Sequence, residues 1–215
     1  MVQKENRTQR INQAQIISAL ENIYISPLES CNLACKYCYT SKNPNILSNQ
    51  QILNFVDRYN NFLKKKFSSI QQTTKIGQPK NNYIKKISNK IRLKSIILCG
   101  GEVFNLSNFP KLVNKLVQRD IFVTIITNGT IDRLDEIQQP QNCQILVSLD
   151  GPKEIHDQNR GLGNYEKSIE YIKRAISLGF PIGIMFLITK DSYPYKNTFP
   201  KVLKHTRGAP ACNLN

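Results

Sequence analysis

Short runs of apolar residues constrain this chain more than any other feature: 95–99 (SIILC), 122–126 (FVTII), 144–149 (QILVSL) and 182–188 (IGIMFLI), with a fifth extended segment at 23–26. They are short and rich in β-branched residues, and most run into glycine or small polar residues, so they read as strands. Between them lie stretches with helical spacing. Residues 47–65 place Ile52, Phe55, Val56, Tyr59 and Leu63 along one side; 106–118, a short stretch near 131–137, and 165–178 with Gly179 as its C-cap follow. Strands without polar alternation are expected to be covered on both faces, and strands separated by helices pair in parallel through right-handed crossovers. The expected fold class is α/β, with about five parallel strands. A further helix is expected near 195–205.

Parallel α/β folds gather their chemistry at the carboxyl ends of the strands, where the loops converge. In this chain those ends read SCNLACKYC (30–38), GGE (100–102), TNG (127–129) and SLDG (148–151). The unusual polar residues therefore fall on one edge.

Cys31, Cys35 and Cys38 crowd into eight residues, with no fourth cysteine nearby. A structural zinc site takes four protein ligands and would need a distant one, such as His156, His205 or another cysteine. A 4Fe-4S cluster takes one ligand per iron, and a ferredoxin-like run would supply its fourth cysteine shortly after the third. A cluster held by these three thiolates leaves one iron open to a small molecule, which is the favoured reading. Cys99 and Cys143 border strands and read as small core residues. Cys212 carries no reading.

The length of 215 residues suits one domain, expected over 22–215, preceded by an arm or amphipathic helix over 1–21. No apolar run has the length of a signal peptide or a membrane span, so a cytoplasmic protein is expected. The formal net charge of +15 is uneven. No Asp or Glu occurs between Arg58 and Gly101, whereas Arg58, Lys64, Lys65, Lys66, Lys75, Lys80, Lys85, Lys86, Lys90, Arg92 and Lys94 do. A polar insertion is expected over about 66–94. Such a block can attract phosphate or an acidic peptide; without stacking aromatics, a solvated lysine-rich loop is the simpler reading.

Taken together, CNLACKYC, GGE, TNG and SLDGP, in this order and each after a strand, resemble the radical S-adenosylmethionine (SAM) superfamily over roughly 22–190. The SLDGP segment and the following KEIHDQNR resemble the peptide- and protein-modifying maturases within it, the sulfatase-maturase-like subgroup. The resemblance implies a partial (β/α) barrel, and a 4Fe-4S cluster on Cys31, Cys35 and Cys38. It also implies cleavage of SAM to a 5'-deoxyadenosyl radical, which abstracts hydrogen from a peptide or protein substrate, and a reductant of the flavodoxin or ferredoxin type.

It also implies roles for single residues. Tyr37 lies near the adenine. Gly100 and Gly101 bare the backbone for the ammonium of SAM, to which Glu102 offers a charged acceptor. Ser148 reaches a ribose hydroxyl or the SAM carboxylate, with Asn128 supporting the same region. Arg160 pairs with the carboxylate or braces its loop. His156 and Asp157 have no visible catalytic partner and are expected as a hydrogen-bonded loop pair.

Departures accompany the resemblance. A sixth strand and the cysteine-rich C-terminal domain common in such maturases are not recognisable, and Val103 stands where a proline is frequent after Gly-Gly-Glu. The chain is therefore read as shortened at its C-terminus. Two further readings stay open: a radical SAM enzyme acting on RNA, prompted by the basic block, and a non-catalytic iron-sulfur binding module.

Overall fold

The apolar runs pair as the sequence predicts. A computed structural model of the protein describes residues 20–73 and 91–195. Within them β1 (Asn22–Ile25), β2 (Ser95–Leu98), β3 (Phe122–Thr127), β4 (Cys143–Ser148) and β5 (Ile182–Met185) form one sheet in sequential order, every neighbouring pair parallel. The register aligns Ile25 with Leu98, Leu98 with Ile125, Thr127 with Val147, and Ser148 with Met185. The carboxyl ends step forward slightly from β1 and β2 to β4 and β5, and their loops emerge on one edge.

Among the described residues four helices connect the strands: α1 (Asn49–Thr73), α2 (Phe109–Val117), α3 (Lys153–Arg160) and α4 (Asn164–Ser177). α1 buries Ile52, Leu53, Val56 and Leu63; of the side read from the sequence, Ile52, Val56 and Leu63 are buried and Tyr59 half-buried, whereas Phe55 is exposed and Leu53 is buried instead. α2 buries Phe109, Leu112, Val113, Leu116 and Val117. Phe104 meets Phe109 edge-on, with ring centroids 5.1 Å apart, and joins this layer to Tyr171 of α4. Fully burying one such side chain is worth about 1.5–3 kcal/mol, so this layer supplies much of the drive to fold.

The details differ from expectation in several places. Where a short helix was expected near 131–137 there is only a 3-10 turn at Leu134–Glu136, and the expected helix over 106–118 begins three residues later, after a 3-10 turn at Val103–Asn105. Most of the arm expected over 1–21, residues 74–90 of the expected insertion, and nearly all of the helix expected near 195–205 lie outside the described residues. So do Lys75, Lys80, Lys85, Lys86, Lys90, His205 and Cys212. Of the basic block, Lys64, Lys65 and Lys66 are exposed on α1, Arg92 pairs with Asp120 (2.9 Å) and Lys94 with Glu21 (2.6 Å).

Coverage on both sheet faces is not what the strands show. β2 and β4 alternate buried with half-buried residues: Ile96, Leu98, Ile145 and Val147 lie in the helix-covered core, while Ile97 and Leu146 on the other face are only partly covered. Among the described residues the sheet runs open from β1 to β5, and this concave face is only partly covered.

The segment after β4, expected as a loop, is helix α3, and its buried face is polar: His156, Asp157 and Asn159. His156 and Asp157 are not partners of each other. His156 Nδ1 accepts the Asp150 N–H (3.3 Å), while Asp157 receives Lys153 Nζ (2.9 Å) and the Tyr165 N–H (2.8 Å). Burial pushes the His156 imidazole down to about 4, and the Arg160 cation nearby adds to the shift. The unfolded chain, with an ordinary histidine near 6.5, takes up the proton first, so stability is full above that value and is lost as pH falls toward about 4. Unfolding free energies from urea titrations through this window should show a shallower pH slope in His156→Gln than in wild type, by at most about 1.4 kcal/mol per pH unit. Equal slopes would show that His156 does not report this burial.

Candidate active site

The cysteine loop leaves β1 and is fastened by backbone bonds. The Gly101 N–H donates to the Leu28 carbonyl (2.9 Å) and the Glu102 N–H to that of Ser30 (3.0 Å), so the chain entering the cysteines is pinned to the turn after β2. A Cβ on Gly101 would stand inside the Ser30 carbonyl, and one on Gly100, at φ +152, inside that of Leu28. Only glycine allows this approach. From the opposite side the Lys36 N–H donates to the Asn159 carbonyl at the end of α3 (2.8 Å), and the Cys38 N–H closes a turn onto Cys35 (3.2 Å).

These contacts bring the three cysteines to a cavity of about 430 Å³ at the carboxyl edge of the sheet, within the size range of small-molecule sites. Cys31, Cys35 and Cys38 line it, and so do Tyr37, Gly100, Gly101, Asn128, Ser148 and Arg160. Of the residues singled out in the sequence, only Glu102 is absent from the wall. The sequence reading missed Tyr24, Tyr39, Asn159 and Cys99; the position of Cys99 beside Gly100 at a strand end was the available signal, although its low exposure of 8% fits the core reading too. Ile126, Met185, Phe186 and Leu187 supply an apolar side. Cys143 is fully buried away from this wall, and burial pushes its thiol up to about 12.

Glu102 lies behind the cavity at 0% exposure. One carboxylate oxygen accepts the Phe104 N–H (3.1 Å) and the Thr127 hydroxyl (2.8 Å), and the other accepts the Asn128 N–H (2.8 Å). Burial raises its pKa above the usual carboxylate value, with these three donors opposing the rise. Glu102 therefore ties the turn after β2 to the turn after β3, and what faces the cavity here is the Gly100-Gly101 backbone. Asn128 extends the tie: its Nδ2 donates to Asn32 Oδ1 (2.9 Å), and its Oδ1 accepts both the N–H (2.9 Å) and the hydroxyl (2.7 Å) of Thr130.

Arg160 shows the bracing geometry of its two expected roles. Its Nε and Nη2 bond Asp150 Oδ2 (2.7 Å) and Oδ1 (3.0 Å), and the Asn159 amide also donates to Asp150. Tyr37 is 42% exposed, and its hydroxyl donates to Asp191 Oδ2 (3.0 Å), which anchors the ring at the rim.

The thiols are electrostatically unequal. Burial raises Cys31, against which the Leu33 N–H (3.4 Å) and Asn128 Nδ2 (3.7 Å) point at its sulfur; burial also raises Cys35, with the Arg160 cation opposing. Cys38 is shifted below the usual thiol value, chiefly by its bond to the Thr40 hydroxyl (3.1 Å). Amide donors at sulfur and a nearby cation suit thiolate ligands of an iron-sulfur cluster, whose properties depend on such bonds. Among the described residues no three His, Cys, Asp or Glu side chains converge as a single-ion site. The donor set fits a cluster.

The family model of the radical SAM superfamily matches residues 25–195. The chain belongs to the radical SAM superfamily. This radical SAM chain is 24% identical over 211 residues to the radical SAM cyclopropyl synthase TigE of Paramaledivibacter caminithermalis, covering 90% of this chain and 41% of TigE. It is 26% identical over 197 residues to the AdoMet-dependent heme synthase of Oleidesulfovibrio alaskensis, covering 86% and 42%. The crystal structure of Streptococcus suis SuiB matches with a TM-score of 0.62 at 16% identity, over 86% of this chain and 37% of SuiB; SuiB is also known bound to its precursor peptide SuiA. The chain thus spans about two-fifths of the length of these relatives. No helix of the described residues is long and apolar enough to cross a membrane.

Glu102→Gln replaces a pure acceptor by a group with two N–H donors facing three donors. The expected loss is about 1–3 kcal/mol of stability, read as a lower urea midpoint. An unchanged midpoint would show that the carboxylate does not hold the two turns together.

Proposed function

We propose that the protein is a radical SAM enzyme that holds a 4Fe-4S cluster through Cys31, Cys35 and Cys38, cleaves SAM, and modifies a peptide or protein substrate. The observation that carries this reading is that three thiols share one cavity wall with the polar turns that follow β2, β3 and β4. When bound, such a cluster supplies the single electron that reductive cleavage of a sulfonium needs, together with one iron free of protein ligands. A donor of the flavodoxin or ferredoxin type provides that electron.

The chain's own residues do the rest. The bare Gly100-Gly101 backbone admits the amino acid portion of SAM, and Ser148 and Asn128 offer hydroxyl and amide groups to its polar atoms. Tyr37 presents a ring to the adenine from the rim. Ile126, Met185, Phe186 and Leu187 exclude water from the side where a reactive carbon must be protected. The SLDGP segment and the likeness in fold to SuiB, a protein known with a bound precursor peptide, support a peptidyl substrate.

Anaerobic reconstitution with iron and sulfide, reduction, and electron paramagnetic resonance with and without SAM test the reading. Wild type should give a cluster signal that SAM perturbs, and should release 5'-deoxyadenosine; the Cys31→Ala, Cys35→Ala, Cys38→Ala variant should lose both. Uptake of zinc in place of a cluster, or a cluster indifferent to SAM, would overturn it.

A further inference from the structure

Among the described residues, the cavity wall carries one side chain with a permanent charge, Arg160. No Asp or Glu lines it. The guanidinium is 14% exposed and lies against Asp150, which is 2% exposed at the end of β4 and makes no part of the wall. Two parallel bonds fix the pair (2.7 and 3.0 Å). The result is an oriented dipole, its cation on the cavity side with the cysteines and its anion behind. An arginine in this setting does not lose its proton, so the field is constant across the working pH range. The side-on fork of Arg160, one of the two faces that can hold a carboxylate bidentately, is already taken by Asp150.

Each thiolate of a cluster brings a negative charge, and reduction adds another to the same small volume. A buried cation at the wall stabilises the more negative form, and the carboxylate behind it weakens that effect. Burial, local charge and bonds to sulfur are the levers by which a protein sets the potential of such a cluster. We propose that Arg160 and Asp150 together set the reduction potential at the cysteine cavity, Arg160 raising it and Asp150 limiting the rise. The electron concerned comes from a one-electron donor of low potential, and no other bond changes in this step. The inference rests on the cluster reading above.

The test is an anaerobic redox titration of reconstituted wild type, Arg160→Gln, Arg160→Lys and Asp150→Asn, followed by electron paramagnetic resonance, with SAM affinity of the oxidised proteins measured by equilibrium dialysis. Arg160→Gln should make reduction about tenfold less favourable, a fall of about 59 mV for a one-electron couple. Arg160→Lys, which keeps the charge, should stay close to wild type. Asp150→Asn should shift the potential upward, and SAM affinity should change less than tenfold throughout.

The opposite signs separate tuning from bracing, because a purely structural role would move both removals the same way. Equal shifts, no shift, or an unchanged potential in Arg160→Gln with SAM binding lost by more than tenfold would overturn the proposal; the last outcome would return Arg160 to the SAM carboxylate. Should Arg160→Gln hold no cluster, the sign of the Asp150→Asn shift decides. A wild-type protein without a cluster would refute the proposed function instead.

Discussion

The close approach of the cysteine loop to the turn after β2 is the contact on which the rest of the carboxyl edge depends. Two backbone bonds, from the N–H groups of Gly101 and Glu102 to Leu28 and Ser30, lie between a β-strand and the first cysteine. They require the absence of side chains at positions 100 and 101. The same turn delivers Glu102 into the interior, where it captures the backbone of Asn128. Asn128 in turn holds Asn32 inside the cysteine loop. One steric condition thus locates the loop, the second turn and the third.

The interior beneath this edge is built differently from the rest of the core. Below the strand ends the packing is aliphatic and aromatic, and tolerates exchange of similar volumes. At the strand ends it is ionic and amide-rich: Glu102, Asp150, His156, Asp157 and Asn159 are all buried. Such groups add little net stability when satisfied, but breaking a buried pair by removing one partner costs about 3–5 kcal/mol. Their value lies in specifying a single arrangement, and α3 illustrates it. Its C-terminal turn holds Asp150 through Arg160 and Asn159 and also holds the Lys36 backbone, so the second and third cysteines are fixed to β4 by way of a helix with hardly any apolar face.

That helix is also where the sequence was least legible. The strands could be read because a short β-branched apolar run is too brief for a buried helix and too apolar for a loop, which leaves a sheet as its place. The order of the motifs then placed nine of the ten singled-out residues on one cavity wall. KEIHDQNR has no apolar periodicity to reveal a helix, because its buried face is polar: Asp157, Asn159 Nδ2 and His156 Nδ1 find partners, while His156 Nε2 and Asn159 Oδ1 have none among the described residues. Glu102 was read, from the resemblance, as a charged acceptor for SAM; only the positions of Phe104, Thr127 and Asn128 show that its carboxylate already takes three donors. The half-open second face of the sheet was missed for a related reason. Apolar composition states that a strand can be covered, not which neighbouring element covers it.

The partly uncovered concave face has a thermodynamic consequence. Ile97 and Leu146 remain partly wetted in the folded chain, so part of the hydrophobic gain is not collected by folding alone. Whatever occupies that face collects it, and by mass action adds to the stability of the whole sheet, about 2.7 kcal/mol at a concentration one hundred times its dissociation constant. The melting temperature of this protein is therefore a gauge of occupancy as much as of its own sequence.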